Sequence, residues 1–308
     1  KGPYNLILRG NVALRYLNQM TIDEDYKNNA IGEVEFNQAM AYFLLVRAYG
    51  DVPIVEKAVD EGGSFQNPRE PVAKVYEKII ALLTDAAEKM FHVDDSRHQA
   101  GHVSAGSAAG LLAKVYATMA SAAMPAGTQV IVRTGPAFDP NGSTDANGDV
   151  NYAPLKSYTF SKRAVAGYED MNSLELYAKA AEWAKKVIKG EYGKYELLPY
   201  KDLWTRAHNN DPEFMFSVGA INGDATYKNG IHTYYEGYTS GSTEFIQQGG
   251  WIGCTNNWYN LFDKDDYRIT QGVKHRWRVA YQKEKNQGFY YPYTEQQCIK
   301  ATGYDFSG

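Results

Sequence analysis

The stretch "AYFLLVRAYGDVPIVEKAVD", residues 41–60, decides the fold, because it joins a strongly apolar run to an abrupt break in the chain. Residues 39–46 are apolar on every side, a pattern typical of a helix that is covered all round. We therefore predict a buried helix over residues 33–49.

The sequence "GDVP", residues 50–53, predicts a break after this helix. Gly50 supplies the left-handed residue that commonly ends a helix. Pro53 prevents the helix from resuming and favours extended geometry at the residue before it. We expect an extended segment over residues 52–55 that leads outward to a polar loop over residues 61–67.

Four more helices are predicted from apolar residues at helical spacing. They cover residues 4–20, a segment that starts near Pro71, a segment that starts near Ser104, and a segment from Asn172 as cap to Gly190 as stop. The third and fourth helices start about one tetratricopeptide period apart, and their tyrosine and alanine stripes suit stacked helix pairs. Beyond residue 195 we predict only a short buried strand at "EFMFSV" (213–218) and a short helix at "NNWYNLF" (256–262).

The predicted fold is mostly α: a tetratricopeptide-like helical-repeat scaffold with a loop-rich irregular portion. We expect a single domain over residues 1–308. Its scaffold covers residues 1–200 with a loop insertion near 125–170, and its irregular portion covers 201–308.

Composition excludes several classes of partner. The net charge of −4 comes with no basic run longer than residues 274–278, so a nucleic-acid partner is not expected. There is no apolar stretch near 18 residues, so nothing in the sequence is expected to span a membrane. The chain carries 25 Tyr, far more than average, and tyrosine suits half-exposed binding surfaces as well as the edges of a core. Cys254 and Cys298 are compatible with one disulfide or with two buried thiols.

Five blocks in order along the chain resemble the SusD/RagB family. They are "EFNQAMAYFLLVRAYGDVPIV", "REPVAKVYEKIIALLTDA", "SAGSAAGLLAKVYATMASA", "YAKAAEWAKKVIKGEYGKYELLPYKDLWT" with the following "EFMFSV", and "CTNNWYNLFDKDDYRI", which contains an Asp-x-Arg at Asp266 and Arg268. The resemblance covers most of residues 4–270.

This resemblance implies a non-catalytic cell-surface protein that is anchored by lipid to the outer face of the outer membrane. Such proteins capture oligosaccharides for a SusC-like, TonB-dependent transporter. The chain lacks the lipoprotein signal and the lipidated cysteine, and it ends where the family continues into another helix pair. We therefore expect a processed or truncated chain that lacks both ends of the family pattern.

Sugar capture directs attention to loop aromatics beside polar residues, since a pyranose ring stacks on an aromatic face and its hydroxyl groups need polar partners. The candidate ligand-binding residues are Phe65, Gln66, Asn67, Tyr234, Tyr235, Tyr238, Trp251, Trp277 and Tyr281. For each aromatic, packing against the helices remains the alternative. Trp183, Trp204 and Trp258 fall in apolar periodic segments and are predicted to be core residues.

Two segments have features of metal sites. His98 and His102 are spaced four apart, as in a zinc-binding helix, but Gly101 disfavours that helix and the motif lacks its glutamate. Residues 139–151 alternate oxygen ligands as a calcium loop does, but Val150 and Lys156 occupy its glycine and glutamate positions. We predict no metal and no cofactor, with calcium the alternative at 139–151.

No catalytic site is predicted. The sequence contains no nucleophile elbow, no Cys/His signature, no phosphate-cradling loop after a strand and no dinucleotide fingerprint. The alternatives to glycan capture are the same fold with a peptide as cargo, and a helical-repeat scaffold that binds only protein. The many aromatics after residue 230 exceed what such a scaffold needs.

Overall fold

The computed structural model describes residues 2–57, 62–64, 66–134, 156–219, 256–259, 261–263, 266–273, 275–277, 289–290, 296 and 298–299. The chain divides into two compact units. The first comprises Lys1–Gln129, Ser161–Leu198 and Asn209–Val218, and the second comprises Val130–Phe160, Pro199–His208 and Gly219–Gly308.

Five helices build the first unit, and each packs against the next along the chain. Their bounds are Gly2–Gln19 (α1), Glu24–Tyr49 (α2), Val72–Lys89 (α3), Ala105–Ala122 (α4) and Ser173–Ile188 (α5). The prediction of a mostly α fold is confirmed. Within the described ranges, none of the helices is long and apolar enough to cross a membrane.

Side chains placed before the helices fix where several of them begin. Asp23 accepts from the first-turn amides of α2, and Asn172 does so for α5. Ser104 and Ser107 form a reciprocal capping box at the start of α4. The starts predicted near Pro71, at Ser104 and at Asn172 are therefore correct.

The core runs through α1 to α4 and reaches α5 at its edge. Its largest fully buried side chains include the following residues: Ile7, Phe36, Tyr42, Val46, Val72, Val75, Tyr76, Ile79, Leu83, Leu112 and Val115. The apolar run at the end of α2 is mostly buried, as predicted, although Leu44 is 47% exposed.

Two helix predictions need correction. Helix α2 begins at Glu24 rather than residue 33, because Asp23 caps it nine residues earlier than the apolar pattern shows. In α5, the helical spacing predicts a packed stripe that consists of Tyr177, Ala180, Ala181, Ala184 and Ile188. Ala180 is buried, but Tyr177 and Ile188 are exposed. This helix packs on the core through Leu176, Ala180 and Trp183 instead.

The segment 213–218 is irregular, not the buried strand that its apolar letters predict. Ser107 of α4 donates its hydroxyl hydrogen to the Met215 carbonyl, and the Phe216 ring lies 5.4 Å from that of Phe36. The segment is thus held by α4 and α2 in place of a neighbouring strand.

Short elements account for the remaining regular structure in the described ranges. Strands β1 (Gln129–Thr134) and β2 (Lys156–Ser161) pair in a two-stranded sheet within the predicted insertion. In the second unit are a 3₁₀ turn at Arg206–His208, helices α6 (Asn256–Tyr259) and α7 (Tyr267–Thr270), and strands β3 (Arg276–Trp277) and β4 (Phe289–Tyr290). The short helix predicted within 256–262 is confirmed as α6.

The tryptophans predicted to be core residues have different environments. Trp183 packs against the core and stacks on Tyr192, with ring centroids 5.8 Å apart. Trp204 is 70% exposed and Trp258 is 37% exposed, so the core prediction is wrong for both. An apolar residue in or near a short or irregular element is buried only if another element packs over it.

Candidate functional site

The loop that carries the predicted Gln66 and Asn67 starts from a rigid helix stop. Gly50 has a φ of 68° and donates its amide hydrogen to the Val46 carbonyl at 3.0 Å. Asp51 then accepts from the amide of Val72, the first residue of α3, at 2.9 Å. Pro71 precedes that residue and provides no side-chain cap of its own. Gly50 therefore ends α2, and Asp51 beside it caps α3 across the base of the loop.

The extended segment after the stop is tied to both neighbouring helices. Tyr4 of α1 donates to the Pro53 carbonyl at 3.0 Å, and Asn11 donates to the Val55 carbonyl at 2.9 Å. The Val55 amide donates to the hydroxyl of Tyr42 at 2.9 Å. Burial raises the pKa of Tyr42 to about 12, so this hydroxyl stays neutral at any physiological pH. The start of the loop is thus fixed by side chains that reach its backbone.

The polar part of the loop is closed at its base and folded on itself. Val52 and Glu70 form an isolated antiparallel bridge. Beyond it, Ser64 accepts from the Gln66 amide at 2.9 Å, and the Asn67 side-chain nitrogen donates to the Ser64 carbonyl at 2.6 Å. Asn67 therefore uses a side-chain N–H to shape the loop, whereas the side chain of Gln66 is exposed.

Most of the predicted ligand-binding aromatics lie outside the described residues. This applies to Phe65, Tyr234, Tyr235, Tyr238, Trp251 and Tyr281. The backbone of Trp277 belongs to β3 and pairs with Phe289 of β4 in antiparallel register, and its side chain is outside the described part. Contact of these residues with a ligand stays a prediction. Cys254 also lies outside, so the pairing of the buried Cys298 stays open.

A polar cleft of about 520 Å³ opens in the first unit, at the ends of α2 and α3. Its walls are the N-terminal turn of α2 with Asp25 and Asn28, the last turn of α3 with Asp85 and Lys89, and the turn that follows, residues 90–97. Carboxylates outnumber cations along these walls, so the cleft is acidic.

Arg97 organises the outer wall of this cleft. Its guanidinium donates to Asp95 through Nε at 3.1 Å and Nη2 at 2.9 Å, and to Asp25 through Nη1 at 2.7 Å. These hydrogen bonds lower the pKa of Asp95 to about 2. The guanidinium also lies 4.3 Å from the Phe91 ring centroid, so Arg97 packs on this ring as well.

The Asp-x-Arg at Asp266 and Arg268 repeats the same geometry in the second unit. Asp266 caps α7 by accepting from the Arg268 amide at 2.9 Å, and its carboxylate also accepts from the Arg268 guanidinium. Hydrogen bonds from Arg268 lower the pKa of Asp266 to about 2. The pair therefore has a clear structural role, which is to start a short helix.

The zinc alternative receives no support from the described part of the chain. His102 Nδ1 lies 2.9 Å from a carboxylate oxygen of Glu33, and burial lowers the pKa of His98. Across the described ranges, no group of three or more His, Cys, Asp or Glu side chains is placed to hold a metal ion. The calcium alternative at 139–151 lies outside those ranges.

The sequence analysis did not predict the exposure of Trp204. Trp204 packs edge-to-face on Tyr200, with ring centroids 6.0 Å apart, and leaves most of its indole open. The residues around it, "YKDLWTRAHNND", are mostly polar, a signal that was available in the sequence and that argues against a core position. The acidic cleft was missed because its walls come from two segments that are far apart in the sequence.

Comparison with known proteins relates the N-terminal part of the chain to SusD-like proteins. Residues 1–117 match the SusD-like_3 family, described as "Starch-binding associating with outer membrane". Over 116 residues the chain is 32% identical to SusD-like protein P2 of Formosa agariphila, a match that covers 37% of this chain and 22% of that protein.

Two further relatives extend beyond this N-terminal part. A SusD-like protein of Bacteroides ovatus is 24% identical over 319 aligned residues, which cover 100% of this chain and 45% of that protein. A crystal structure with xylogluco-oligosaccharide has 21% identity and a TM-score of 0.49, and covers 73% of this chain and 36% of that one. The chain spans less than half the length of the curated relatives it matches.

The resemblance to the SusD/RagB family predicted from the sequence is therefore confirmed. SusD-like sequence runs through residues 1–117, and a SusD-like relative aligns with the whole chain.

Proposed function

We propose that the chain is part of a non-catalytic glycan-binding protein at the cell surface, which captures oligosaccharides and delivers them to a SusC-like, TonB-dependent outer-membrane transporter. The observation that carries the proposal is the match of residues 1–117 to a family described as starch-binding and associated with the outer membrane. A lipid anchor on the outer face of that membrane belongs to the same proposal.

The described residues are compatible with capture by a rigid surface. The helix stack holds the start of the loop in place, through the bond from Val72 to Asp51 and the bonds of Tyr42 and Asn11 to the Val55 backbone. A preorganised surface loses less conformational entropy when a flexible oligosaccharide binds. Trp204 adds an exposed indole to the aromatic candidates of the second unit.

The proposal needs no catalytic group. Because sugar binding requires only stacking faces and hydrogen-bonding rims, the absence of a catalytic motif from the sequence is consistent with it. Incubation with a panel of oligosaccharides, followed by chromatography, should return every substrate uncut. Cleavage that co-purifies with the protein would overturn this part of the proposal.

The test of ligand class is a screen of the purified chain on an oligosaccharide array in parallel with a peptide array. We expect saturable binding to a set of related glycans and none to the peptides. Binding to peptides alone would replace the cargo while keeping the family. Binding to neither array would contradict the capture function for this chain.

A further inference from the structure

One buried carboxyl group of the first unit has a hydrogen-bond partner for only one of its two oxygens among the described residues. Glu35 of α2 is 8% exposed. Its Oε1 lies 3.3 Å from the Lys89 ammonium nitrogen, but its Oε2 is buried with no hydrogen-bond partner among the described residues. An unpaired buried carboxylate oxygen is costly, and this cost falls when the group takes up a proton.

Helix α2 approaches the end of α3 closely on the side that carries Glu35. A Cβ atom built on Gly32, one turn earlier on α2, would lie 2.6 Å from Met90 Cγ and 3.3 Å from the Ala86 carbonyl oxygen. Asn29, one turn earlier again, accepts from the Phe91 amide at 2.8 Å. These three α2 residues form one stripe that fastens the C-terminal end of α3 to α2.

The charged groups that face Glu35 come from α3. Lys89 donates to both Glu35 and Asp85, so one cation serves two carboxyl groups. Lys89 is about a quarter exposed and Asp85 about half exposed, and both also line the polar cleft. The buried carboxyl group is thus connected to the cleft wall by Lys89 and the neighbouring Asp85.

We propose that Glu35, Lys89 and Asp85 form a proton-responsive fastening between α2 and the end of α3, which is tight when Glu35 is protonated and loosens when Glu35 is ionised. Loosening releases the end of α3 and the turn at 90–97, and so it changes the wall of the polar cleft. The inference does not depend on which ligand the protein binds.

The direction of the pH effect follows from burial. Burial, and then the neighbouring Asp85 carboxyl group, raise the pKa of Glu35 to about 7, against the lowering effect of the Lys89 ammonium group. An opened state exposes Glu35 to water and returns its pKa to the ordinary range near 4.5. Because the closed state binds this proton more tightly, the contribution of Glu35 to the fastening is fully present below the ordinary range and is lost as the pH rises toward 7.

Hydrogen exchange read at the Phe91 amide measures this fastening, since that amide is bound by the α2 side chain Asn29. After correction for intrinsic exchange, its protection should fall by up to about tenfold per pH unit between about pH 5 and pH 7, and then level off. Exchange at Phe91 should also be faster than at amides in the middle of α4, such as that of Val115, because local opening and not global unfolding then produces the slope. A flat profile at Phe91 would overturn the proposal.

Two variants distinguish the effect of the Glu35 charge from the effect of its packing. Glu35→Gln keeps the shape of the side chain but cannot ionise, so it should abolish the slope at Phe91. Glu88→Gln removes an exposed carboxylate next to Lys89 in the last turn of α3, and it should leave the slope unchanged. A Glu35→Gln variant that keeps the wild-type slope would overturn the proposal.

A measurement on the unmodified chain covers the case in which Glu35→Gln fails to fold. Carbon-13 NMR titration of the side-chain carboxyl groups should show one glutamate that titrates well above the others. If every glutamate titrates in the ordinary range, the fastening is not proton-responsive.

Discussion

Gly50 and Asp51 link the end of one helix to the start of the next, and both roles depend on single residue types. A glycine is needed because φ is 68° there, a region that side chains with a Cβ rarely adopt. An acceptor side chain is needed after it because α3 begins at Val72, directly after a proline that provides no side-chain cap. The sequence predicted the helix stop at Gly50, but it did not predict the cap, because the capped amide lies 21 residues further along the chain.

Replacement of Gly50 by valine should destabilise the fold. A β-branched residue held at positive φ costs on the order of 1 to 3 kcal/mol. The Cβ atom itself has room, since its nearest neighbour is the Val72 side chain at 3.9 Å, so the loss reports backbone strain. Thermal melting of Gly50→Val and Gly50→Ala should show a loss for both that is larger for valine. A Gly50→Val protein that melts at the wild-type temperature would refute the helix-stop interpretation.

Replacement of Asp51 by alanine should cost about 1 kcal/mol, the usual value of a helix cap. Asp51→Asn keeps an oxygen acceptor for the Val72 amide and should lose less. Chemical denaturation of the two variants beside the wild type measures the difference. Equal losses in both would show that the carboxylate charge, and not the cap, is what stabilises this position.

Helix ends could be predicted where the sequence contains a recognisable cap or stop residue. The burial of individual side chains could be predicted less well. Ser104, Asn172 and Gly190 gave helix limits that the structure reproduces within a residue or two. The exposed Tyr177 shows the failure, since apolar letters at helical spacing reveal a stripe but not which side of it has a partner. The segment 213–218 failed because its hydrogen bonds go to the Ser107 side chain of α4, a partner that no local pattern can reveal.

Two glycines of α4 lie where irregular segments pack on this helix. Gly106 and Gly110 receive the side chains of Tyr195 and Met215 from irregular segments. A Cβ on Gly106 would lie 2.3 to 2.6 Å from atoms of the Tyr195 ring, whose hydroxyl is also bound to Ser104.

Gly106→Ala should therefore lower the stability by roughly 1 to 3 kcal/mol, despite the better helix propensity of alanine. Gly2→Ala in α1 is the matched control, because nothing lies within 4 Å of the added atom there. It should leave the melting temperature unchanged or slightly higher. If both substitutions have the same effect, Tyr195 does not pack on α4 as described.

For the whole molecule, the sequence predicted the class of protein better than the site. The helix stack, its order along the chain and the SusD-like relationship are all confirmed. Of the nine candidate ligand-binding residues, only Gln66 and Asn67 have described side chains, and Asn67 is engaged in shaping its own loop. A ligand surface assembled from separate loops leaves no periodic signal in a sequence, whereas a helix does.

Glycan capture by the later aromatics is the central claim, and calorimetric titration with the strongest array ligand tests it most directly. Trp251→Ala and Trp277→Ala should each lose on the order of 2 kcal/mol of binding free energy at an unchanged melting temperature, as expected for a stacking hot spot. Trp183→Ala is the control for a core indole, because Trp183 packs against the core, and it should lower the melting temperature instead. Wild-type affinity in both Trp251→Ala and Trp277→Ala would contradict the account and direct the search to Phe65 and the loop around it.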